Sequence, residues 1–94
     1  MVIEEDFGND YYGNLIIENY PNLQSIIVKN NSLKNLNSLK ISNCEKLKII
    51  ETKFEAFYYI NNVIIESISN NSTLVYISLI YNHSKQNGDH SLKQ

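Results

Sequence analysis

Two stretches of this chain are near copies of each other, and that constrains the fold more than any single segment does. Residues 2–18 read VIEEDFGNDYYGNLIIE and residues 49–66 read IIETKFEAFYYINNVIIE. With a one-residue gap before the second asparagine, nine positions match: Ile3/Ile50, Glu4/Glu51, Phe7/Phe54, Tyr11/Tyr58, Tyr12/Tyr59, Asn14/Asn62, Ile16/Ile64, Ile17/Ile65 and Glu18/Glu66. A copy at fixed period in a chain of 94 residues predicts stacked units that bury apolar residues against one another. Any binding chemistry is then expected on one exposed face of the stack.

A shorter unit lies inside the copy. Leu15, Leu39 and Val63 are 24 residues apart, and each opens an apolar–x–apolar triplet. Three residues past each triplet come Tyr20, Cys44 and Ile68, and then Leu23 and Leu47, with the third leucine delayed to Leu74. Pairs at alternate positions follow: Ile26 and Val28, Ile50 and Thr52, Ile77 and Leu79. Leu33 and Leu36, then Phe57 and Ile60, fall between units. An apolar–x–apolar step is strand geometry, because alternate side chains share a face. A step of three with Asn, Ser, Pro or Lys between is a turn. No window sustains the i, i+3, i+4, i+7 pattern of an ordinary helix. The spacing therefore predicts short strands near residues 15–17, 25–28, 39–41, 48–52, 63–66 and 75–79. The middle set Leu39, Ile41, Cys44, Leu47 and Ile50 is expected to be the best buried.

LNSLKISNCEKL, residues 36–47, resembles the LxxLxLxxCxxL segment of the leucine-rich repeat family. NCEKLKIIET is similar to the NCxxLxxIxI segment of the BspA-like type, and NYPNLQSIIV fits the same frame with Tyr20 in the cysteine place. EAFYYI, residues 55–60, carries an Ala-Phe pair that such repeats often show, here in an unusual phase. The proline that often follows the second strand is missing, and Thr52 stands where an aliphatic belongs. The resemblance covers residues 2–80. It implies a β-rich solenoid, a right-handed coil with short parallel strands and about three repeats of ~24 residues. It also implies a strand face that binds protein partners.

Residues 1–81 are read as this array, with an incomplete first unit and no recognisable caps, and 82–94 as a polar, disordered tail. The uncapped ends suggest a piece of a longer array and predict head-to-tail self-association. Cys44, the single cysteine, is expected as a small buried hydrophobe. The net charge of −2 without a basic block gives no electrostatic basis for nucleic-acid binding. No apolar run is long enough to span a membrane, and the acidic N-terminus does not read as a secretory signal. The compartment is not legible.

No catalytic, cofactor or metal constellation emerges. His83, Asp89 and His90 lie in the polar tail, and Glu4-Glu5-Asp6 reads as a solvated strand end. Asn30, Asn70, Asn71 and Asn82 each begin an N-x-S/T sequon, a weak pattern among 15 asparagines. The Tyr11-Tyr12 and Tyr58-Tyr59 pairs read as a turn with one ring inward and one on the surface. If Ile26, Val28, Ile50, Thr52, Ile77 and Leu79 face inward, alternation places Ser25, Ile27, Lys29, Ile49, Glu51, Lys53, Tyr76 and Ser78 outside. Ile80 extends that surface, and Glu4 is expected beside Ile27. Ile27, Ile49, Tyr76 and Ile80 would form an apolar patch of the kind that marks a binding site. The leading expectation is a non-catalytic protein-interaction module. The alternative is a structural spacer in an adhesin-type surface protein.

Overall fold

The computed structural model describes residues 1–69 and, as backbone, 89–92. The described part is built from strands and turns, with no helix. Seven strands follow in chain order: β1 (Val2–Ile3), β2 (Asn14–Glu18), β3 (Ser25–Val28), β4 (Ser38–Cys44), β5 (Ile49–Thr52), β6 (Asn62–Ile68) and β7 (Asp89–Leu92). They form two sheets, ordered β1-β3-β5 and β2-β4-β6-β7, and every pairing is parallel. From β1 to β6 the chain crosses from one sheet to the other at each step. The expected strand at 75–79 lies outside the described residues. The tail read as disordered contributes β7, which pairs Asn62 with Asp89 and Ile65 with Leu92.

Alternation sets the core. In β3 and β5 the residues Ile26, Val28, Ile50 and Thr52 are buried. In β2, β4 and β6 the same role falls to Ile17, Leu39, Ile41, Val63 and Ile65. These inward faces share one apolar cluster with Leu33, Leu36, Ala56, Phe57 and Ile60 from the connecting segments. Leu39, Ile41, Cys44, Leu47 and Ile50 are all essentially inaccessible, as the spacing predicts. The Cys44 thiol lies 3.4 Å from the Ser42 carbonyl oxygen.

The turns stack as well as the strands. Leu33 N–H donates to the Phe7 carbonyl at 2.7 Å, Phe57 N–H to Ser32 at 3.1 Å and Tyr59 N–H to Lys34 at 2.8 Å. Backbone groups that strands would leave unpaired are thereby satisfied. The corners recur in register too. Positive φ occurs at Asn19, Asn43 and Ser67, at Asp6, Asn31 and Glu55, and at Gly8, Leu33 and Phe57. Asparagine suits this conformation because its short amide bonds locally. Leu33 and Phe57 adopt it against their steric preference, and both side chains are buried in the core. Gly8 adopts it without steric cost, and a Cβ there would stand 2.6 Å from Leu33 Cδ2, so the leucine would have to shift.

The structure corrects the alignment of the two copies. Ile3 pairs with Val28, and Val28 pairs with Thr52, so Ile3 does not correspond to Ile50. The segment 4–13 between β1 and β2 is one residue longer than 29–37 or 53–61. Residue identities had placed the gap in the opposite copy. The slip at β1 is two residues, which preserves strand alternation, so inward and outward faces stay as read. Tyr11, Tyr12 and Tyr59 are exposed and Tyr58 half-buried, so neither pair sends a ring into the core. The inward turn positions belong to Leu36 and Ile60.

Candidate functional site

The outward residues of the three-stranded sheet form columns fixed by register. Ser25 stands beside Ile49, and Val2, Ile27 and Glu51 form a second column. The sequence spacing places Glu4 beside Ile27; the two-residue slip puts Val2 there instead. Glu4 lies one step further along, where its carboxylate meets the Lys29 ammonium at 3.1 Å. Lys53 turns back to Glu51, at 3.0 Å from Oε1 and 3.2 Å from Oε2. Tyr76, Ser78 and Ile80 lie outside the described residues.

Six of the eight expected face residues are thus brought together, and Val2 joins them. Ile49 is 43% exposed and Val2 51%, while Ser25, Ile27 and Glu51 are half-buried and Lys29 and Lys53 exposed. The apolar centre of Val2, Ile27 and Ile49 is bordered on one side by the Glu4–Lys29 and Lys53–Glu51 pairs. Both pairs are open to water, so each is worth about 1 kcal/mol or less and weakens with salt. Next to them lies a shallow depression of about 210 Å³ lined by Glu5, Lys29, Asn30 and Lys53. An apolar centre thus stands beside paired charges.

The other sheet has its own outward column, Ile16, Lys40 and Ile64 in register, with Ile16 58% exposed. Its flanking columns are more uniform. Asn14 Oδ1 accepts from Asn37 Nδ2 and from Ser38 Oγ, and Asn37 Oδ1 accepts from Asn61 Nδ2. Asn43 Nδ2 donates to Asn19 Oδ1 in the same way.

A second apolar feature is a cleft of about 430 Å³ beside β1 and β2, in the first unit that the sequence reads as uncapped. Phe7, which lines it, aligns with Phe54 by identity alone. The backbone register of the turns, which residue identities do not carry, pairs Phe7 with Ser32 instead. Among the described residues no three His, Cys, Asp or Glu side chains gather to hold a metal ion. Among them, too, no helix is long and apolar enough to cross a membrane. No protein-family model, curated protein or solved structure matches this chain.

Proposed function

We propose that this chain is a non-catalytic protein-interaction module of leucine-rich-repeat type, a β-solenoid segment with layers of about 24 residues. Its binding surface is the outer face of β1, β3 and β5, centred on Val2, Ile27 and Ile49 and bordered by Lys29, Glu51 and Lys53. The observation that carries the reading is the pairing offset. Ser25 to Ile49, Asn14 to Ser38 and Ser38 to Asn62 all join residues one 24-residue unit apart, in both sheets. The strand face then differs from layer to layer (Val2, Ile27, Glu51), as selection for a particular partner would require.

The spacer reading has one observation in its favour. The columns Asn14-Ser38-Asn62 and Glu18-Ser42-Glu66 on the other sheet change little between layers, which serves stacking rather than recognition.

Affinity capture from source cells, with crosslinking and mass spectrometry, separates the two. The interaction reading expects a defined protein that crosslinks near Lys29 and Lys53. It expects that protein to be lost with Ile27→Asp and Ile49→Asp but kept with Ile64→Asp on the other sheet. A recovered set that is unchanged by the first two substitutions contradicts it and favours the spacer.

A further inference from the structure

We draw no further inference here: the strongest candidate, the apolar cleft beside β1 and β2 lined by Ile3, Phe7, Leu15 and Leu33 among others, carries none, because nothing in the structure shows what covers it.

Discussion

Leu47 has no exposed surface, and its N–H closes a turn on the Cys44 carbonyl at 2.9 Å while its own carbonyl accepts from Ser69. Leu47→Ala should therefore cost roughly 2–5 kcal/mol, because the backbone ties around it resist collapse into the void. Urea unfolding that moved by only a few tenths of a kcal/mol would put Leu47 outside the core. Ser67 offers the opposite test. Its φ of 54° matches those of Asn19 and Asn43, and it is exposed. Ser67→Asn should stabilise by a few tenths to about 1 kcal/mol, since Asn tolerates this conformation better and can extend the Asn19–Asn43 amide column. A lower denaturation midpoint would contradict that. At this scale the sequence was a good guide wherever spacing alone decides burial, as at Leu39, Cys44 and Leu47. It misled where side-chain identity stood in for position. Phe7 resembles Phe54 in name, yet its hydrogen bonding places it with Ser32.

The strands are short, and side-chain columns run across them. Asn37 is the centre of one column, donating to Asn14 at 3.1 Å and accepting from Asn61 at 2.8 Å. Such amide ladders reinforce the stacking of parallel strands. Because Asn37 is exposed, Asn37→Ala should cost only about 0.5–1.5 kcal/mol. Asn22→Ala, at an exposed position away from these columns, should stay within ~0.5 kcal/mol of the parent. Equal effects in equilibrium unfolding would deny the column any role. Strand positions were legible because apolar–x–apolar steps report period-2 burial directly. The extra residue between β1 and β2 was not, since a turn can absorb one residue without disturbing the apolar spacing of the strands on either side. Nor was β7: DHSL has no apolar alternation, and its pairing is a matter of backbone alone.

Every strand pair joins residues at least 24 positions apart, so loop closure must precede any sheet contact. Folding measured by stopped-flow mixing should therefore fall in the millisecond-to-second range. Microsecond folding would point to a local, helical structure. The outer face was legible at this scale because alternation survives a two-residue slip; what it does was not, since neither charge nor motif names a partner. The fold rests most on one geometric feature: both sheets are parallel and share one core, with a 24-residue offset from β2 to β4, β4 to β6 and β3 to β5. Solution NMR of the chain tests it directly through cross-strand contacts. Backbone contacts are expected to link Leu15 to Leu39, Leu39 to Val63 and Ile26 to Ile50, with extended chemical shifts at each. Antiparallel contact patterns, a different offset, or helical shifts across residues 38–44 would contradict it.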